Sequence, residues 1–215
     1  MEIINGERLV LGTCYYPEHW DESLWRDDLR RMLENGIEVI RIAEFAWSKI
    51  ERYEGVFNYD FYDKFLDLAE EMGMKVIFCT PTATPPAWLT EKYPEVLNAN
   101  IDGVLYRHGG RRHYNYNSPK YQELTRIIVE KSASHYAKHP AIIGWQIDNE
   151  INCEKDEFYS ESDTIAFRKF LMKKYGSIDA LNDAWGTNFW NQTYNSFEEV
   201  HVPRTTPVSY THLTL

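Results

Sequence analysis

Leu9-Val10-Leu11-Gly12-Thr13-Cys14-Tyr15-Tyr16-Pro17-Glu18-His19-Trp20 contains an apolar strand and the junction that leaves it. In an open, dinucleotide-binding sheet the first junction of this kind is a glycine-rich turn that cradles phosphates. Here it holds two tyrosines, a proline, a glutamate, a histidine and a tryptophan, so that architecture is set aside. Polar and aromatic residues at strand ends suit a (β/α)8 barrel, whose active sites lie at the C-terminal face of its strands.

The pattern continues downstream. Trp25, Leu29, Met32 and Leu33 recur at helical spacing and Gly36 supplies a stop. Residues 38–44 read as a second strand, and residues 75–80 as a third. Between them Tyr62, Phe65, Leu66, Ala69 and Met72 share one helix face that ends at Gly73. Residues 81–119 form a Pro-rich stretch too long for a mere connection, and such loops carry function. A helix with Tyr121, Leu124 and Ile128 leads to a fourth strand, residues 141–147, which runs straight into Asp148-Asn149-Glu150. Ile165, Phe167, Phe170, Leu171 and Tyr175 mark another helix, stopped by Gly176, and a short helical segment follows over residues 177–185. Alternating β and α elements imply a parallel sheet covered by helices.

The predicted fold class is α/β: a (β/α)8 TIM barrel with only its N-terminal half, about four βα units, over residues 1–207. Its inward faces are expected to draw on Ile40, Ile42, Ile77 and Ile147, or on their alternates. Residues 208–215 carry no charged side chain except a histidine and read as a foreign or artefactual tail.

Composition narrows the function. With 23 basic against 33 acidic residues the net charge is -10, which leaves no basic excess for nucleic acid or an anionic membrane surface. No stretch reaches the roughly 18–20 apolar residues of a membrane span. Residues 1–7 lack the basic start and apolar run of a signal peptide. Cys14, Cys79 and Cys153 form no CxxC pair, and the expected setting is reducing and cytoplasmic. The 7 Trp, 15 Tyr and 10 Phe fill cores, and their flat faces also match the C–H faces of pyranose rings.

Asn149-Glu150 is the sharpest chemical signal. A strand that ends in this pair delivers both side chains to the barrel mouth, where desolvation can turn a glutamate into a general acid. An isolated Asn-Glu pair is more often a solvated rim, so context decides. GTCYYPEHW (12–20), RIAEFAWSKIE (41–51), TPTATPPAWL (80–89), RRHYNYNSP (111–119), GWQIDNE (144–150) and WGTNFWNQTYNSFEEV (185–200) follow one another in an order that resembles glycoside hydrolase family 42, the β-galactosidases. The resemblance runs from about residue 9 to about 207. It implies that Glu150 is the proton donor and acceptor of a retaining mechanism. It makes Asn149, Arg111 and Trp190 substrate-binding residues, and it places Arg41 near the nucleophile. Read from charge alone, Arg41 is equally an ion-pair partner for Glu44 or Glu18, two glutamates given a structural role.

Two departures accompany the resemblance. Some family members hold zinc through a cysteine cluster, but here Asn115 stands at the first ligand position and only Cys153 remains of the others. No metal is therefore expected, despite His108 and His113. The family's nucleophile glutamate comes from a late strand, so it is expected to lie outside this chain. The implied function is hydrolysis of terminal β-D-galactose from galactosides or oligosaccharides without a cofactor, by a homo-oligomer that the family suggests is a trimer, with the fragment alone inactive. The rivals are another barrel glycosidase (a β-glucanase or arabinosidase) and a catalytically dead carbohydrate-binding module.

Overall fold

In the computed structural model, residues 9–151 and 153–204 are described. The expected tail and its boundary at residue 207 lie outside them. The chain divides into two compact units, Met1–Trp88 with Leu124–Cys153, and Leu89–Glu123 with Glu154–Leu215.

The first unit is the parallel sheet with its helices. In chain order it contains β1 (Leu11–Cys14), α1 (Glu22–Glu34), β2 (Ile37–Ile42), α2 (Trp47–Ile50), β3 (Glu51–Tyr53), β4 (Val56–Phe57), α3 (Asp60–Met72) and β5 (Lys75–Cys79). The chain leaves through α4 (Ala87–Lys92), returns along α5 (Pro119–Tyr136) and closes the unit with β6 (Ile142–Gln146). The sheet order is β1-β2-β5-β6, every pair parallel. Right-handed β–α–β connections produce this succession, and it is the order of four consecutive strands of a (β/α)8 barrel.

Alternation along each strand sorts the side chains. Ile40 and Ile42 on β2, and Val76 and Phe78 on β5, are fully buried. They pack with Leu29, Phe65, Leu66 and Ala69 from the apolar stripes of α1 and α3, all of which are also fully buried. Tyr15 stacks on Phe65 at 5.7 Å, and Trp25 meets the same ring edge-on at 5.2 Å. Each of these Ile, Val, Leu and Phe side chains contributes about 1.5–3 kcal/mol of burial. Gly73 ends α3 with φ 78°, a left-handed conformation that costs glycine nothing, and the Met74 N–H bonds back to Ala69 O at 2.9 Å.

The inward face needs a correction. Ile40 and Ile42 belong to the helix-covered side, because the pleat sends their alternates the other way. Val39, Arg41 and Ile77, with Gly12 and Cys14, line the opposite face around a cavity of about 240 Å³. Ile147 lies just past the end of β6 and is 83% exposed.

The short helices α2 and α4 and one hairpin were not anticipated. β3 and β4 form an antiparallel hairpin stapled by Glu51, a buried carboxylate. Glu51 accepts from Trp47 Nε1 and from the Gly55 N–H, each at 2.7 Å.

The second unit contains extended segments bridged at Leu97 with Tyr114 and at Ala99 with Leu105. It ends with α6 (Glu161–Tyr175) and α7 (Ile178–Trp185). Leu171, Leu181 and Val200 form its small core, with Phe167, Tyr175, Trp185, Tyr194 and Phe197 against them. α6 begins with a reciprocal capping box between Ser160 and Asp163.

Candidate active site

β6 delivers its C-terminal end to a cleft lined by Arg41, Gln146, Ile147, Asp148, Asn149, Glu150 and Ile151. The strand stops there because its backbone is pulled into a turn. Asp148 has φ 54°. Its N–H bonds to Thr80 Oγ1 at 2.8 Å, and its carboxylate accepts from Thr82 Oγ1 at 3.0 Å and from the Asn149 N–H at 2.6 Å. Glu150 is also left-handed, with φ 42°, and its carbonyl accepts the Cys153 N–H at 2.8 Å. Non-glycine residues in this region cost about 1–3 kcal/mol each, and such strain collects at functional sites.

A polar relay links β2 to this turn. Tyr16 donates to Glu44 at 3.1 Å, and Glu44, buried, holds Arg41 in an ion pair. The second arm of Arg41 donates to Gln146 Oε1 at 2.8 Å. Gln146 Nε2 donates in turn to Asp148 O at 2.9 Å and to Asn149 Oδ1 at 3.1 Å. With its oxygen occupied, the Asn149 amide offers N–H donors, the polarity that a sugar hydroxyl oxygen accepts.

The structure therefore gathers Arg41, Asn149 and Glu150 into one cleft and realises the ion pair between Arg41 and Glu44. Glu150 itself is exposed, so the burial invoked from its strand-end position is not delivered by this unit. Gln146 and Asp148 escaped the sequence reading. The signal for them was a polar residue inside the apolar run 141–147 and an acid directly after it. Burial pushes the Cys79 thiol up to about 12, against the opposing pull of Arg41, as suits a packing residue.

Arg111 and Trp190 belong to the second unit. Arg111 is half-buried, with Glu154 3.7 Å away. Trp190 is 67% exposed, carries φ 56° and stacks on Phe189 at 5.2 Å. Asn115 is fully buried, and its amide donates to Ser160 Oγ at 2.7 Å and to the Asp163 carboxylate. At His113 the ring is buried, Nδ1 lies 2.7 Å from Gly110 O, and burial lowers its pKa, which His108 reinforces. Among the described residues one trio of potential metal donors, Asp67, Glu70 and His139, comes within 4.8 Å. His139 Nδ1 accepts the Ala141 N–H at 3.3 Å there, and Nε2 faces Asp67 at 3.6 Å.

The family model described as beta-galactosidase, glycoside hydrolase family 42, matches residues 14–215. The chain belongs to this family. The beta-galactosidase Bga of Halorubrum lacusprofundi is 43% identical over 93% of this chain and 29% of its own length. The beta-galactosidase of Thermus thermophilus is 46% identical over 92% and 31%. The crystal structure of beta-galactosidase from the psychrophilic Marinomonas ef1 superimposes with a TM-score of 0.88 at 44% identity, over 93% of this chain and 30% of that one. The chain thus spans about 30% of the length of the family 42 relatives it matches. No described helix is long and apolar enough to cross a membrane.

Proposed function

We propose that the complete gene product removes terminal non-reducing β-D-galactose from galactosides by double displacement, with Glu150 as proton donor and acceptor. The observation that carries this reading is the delivery of Asn149 and Glu150 together into the cleft at the end of β6, with Asn149 oriented by Gln146. In the first step Glu150 protonates the glycosidic oxygen while a second carboxylate attacks the anomeric carbon and the C–O bond breaks. In the second step Glu150 takes a proton from water as that water displaces the carboxylate. We assign the attacking carboxylate to no residue among 1–215. Asn149, Arg111 and Trp190 take the sugar-contact roles that family likeness implies. Arg41 supports the site through its pair with Glu44. A cytoplasmic homo-oligomer, a trimer, completes the reading.

The test is the stereochemistry and choice of substrate. Proton NMR of aryl β-galactoside hydrolysis should show β-galactose as the first product, with galactosides cleaved faster than β-glucosides or arabinosides. α-Galactose appearing first, or a preference for either of the other sugars, would reject the proposal.

A further inference from the structure

Arg111 and Arg112 are adjacent in sequence and opposite in environment. The Arg111 side chain is 29% exposed, whereas Arg112 is 1% exposed and among the largest side chains that are completely buried. A guanidinium does not shed its charge, so it is buried only where fixed acceptors replace its water. Here two phenol oxygens do so. Arg112 Nη1 donates to Tyr114 Oη at 2.6 Å and to Tyr116 Oη at 2.5 Å, and the two hydroxyls lie 3.3 Å apart. The rings are held in turn. Tyr114 stacks on Tyr121 at 4.5 Å, while Tyr116 meets Tyr121 edge-on at 6.2 Å and Phe158 at 6.0 Å.

The backbone is fixed at the same place. Arg112 has φ 62°, a left-handed conformation that a non-glycine residue keeps only where its surroundings over-determine it. Beyond it, the Asn98 N–H bonds to His113 O at 2.9 Å and the Asn115 N–H to Val96 O at 2.8 Å, which ties residues 113–115 to the segment alongside. His113 Nδ1 must carry its proton, because its partner at 2.7 Å is a carbonyl, Gly110 O. That bond closes residues 110–113 into a turn with Arg111 inside it. A sugar contact gains most from a donor already in place, since ordering a long side chain on binding costs entropy.

We propose that Arg112 is the positioning residue for Arg111. Its buried guanidinium, anchored by Tyr114 and Tyr116, holds the left-handed turn that sets where the Arg111 guanidinium stands, and His113 locks that turn. Arg112 acts only through Arg111, without touching substrate. The inference rests on the sugar-contact role proposed for Arg111, and the test separates the two.

The experiment is a double-mutant cycle in the complete gene product, read on p-nitrophenyl β-galactoside, β-glucoside and α-L-arabinoside. Tyr114→Phe combined with Tyr116→Phe removes both acceptors and leaves the rings. Arg112→Met fills the buried volume without a charge, and it carries the test if the tyrosine pair does not fold. In the parent background either change should lower kcat/KM on the preferred glycoside about tenfold, below the roughly hundredfold of a 1 Å misplacement. In an Arg111→Ala background the same change should cost less than about twofold, because the group it positions is already gone. A purely structural role gives the same fold loss in both backgrounds, and that result would overturn the inference. So would a parent kcat/KM unchanged by either variant. A non-additive cycle on the glucoside or arabinoside, with the galactoside a poor substrate, would uphold Arg112 and reject the galactosidase reading. An additive cycle on a good galactoside would do the reverse. No turnover of any of the three would remove both, since Arg111 would then have no sugar to contact.

Discussion

Replacing Asn115 should unfasten the start of α6, and the size of the effect follows from its surroundings. The Asn115 amide is fully buried and donates to Ser160 Oγ at 2.7 Å and to Asp163. Its oxygen accepts the Asn117 N–H at 2.6 Å. Asp163 is only 5% exposed, and its carboxylate also receives the Ser160 N–H and hydroxyl, each at 2.9 Å, and Asn117 Nδ2 at 2.8 Å. Asn115→Ala removes one of the donors that compensate a buried charge. A hydrogen bond to a charged group is worth about 1.5–3 kcal/mol, and the vacated amide volume adds to this, for a total of about 2–4 kcal/mol. Asn115→Asp keeps the shape but sets a second carboxylate against Asp163, so it should cost more than alanine at neutral pH. Amide hydrogen exchange of the first turn of α6, measured by mass spectrometry on the complete gene product, reads this local opening directly. Protection unchanged in Asn115→Ala, or equal losses for alanine and aspartate at neutral pH, would refute the reasoning.

Two further outcomes are expected. Residues 1–215 expressed alone should self-associate and show no aryl-galactosidase turnover, because β1 is exposed along its length and β1 and β6 are the outer strands of the described sheet; a rigid monomer with Glu150-dependent activity, by size exclusion and assay, would contradict this. Burial lowers the His113 pKa below its ordinary 6.5, so the unfolded chain takes up the proton first as pH falls. Its contribution to stability is then complete above pH 6.5 and lost below it. Denaturation midpoints at pH 7.5 and 5.5 should therefore differ more in the parent than in His113→Gln, and an identical pH dependence in both would exclude the effect.

The barrel-type succession was legible because apolar runs and helical stripes alternate strictly from residue 9 to residue 147 and the glycine stops fall where the helices end. The inward face was not. A strand buried on both sides reads as a continuous apolar run, so Ile40 and Val39 look alike in sequence and only the pleat tells them apart. The hairpin of β3 and β4 was missed because its strands are very short and its staple, Glu51, is a charged residue that sequence reading assigns to the surface. At the site, Asn149 and Glu150 were visible as a polar pair ending a strand, and an ion pair of Arg41 as a choice left open between Glu44 and Glu18, which the structure resolves to Glu44. Gln146 was hidden inside the strand pattern, although it is the link between Arg41 and Asn149. The left-handed turn at Asp148 depends on Thr80 and Thr82, more than sixty residues away, and local pattern carries no trace of such a contact.

The role of Glu150 is tested most directly by Glu150→Ala in the complete gene product, assayed on two galactosides that differ in leaving group, with and without azide. Loss of the acid should slow the substrate with the poor leaving group far more than the activated aryl galactoside, since only the former needs protonation to depart. Azide needs no general base, so it should restore turnover of the activated substrate and yield β-galactosyl azide. Equal losses on both substrates, with no azide product, would place the acid and base on another residue.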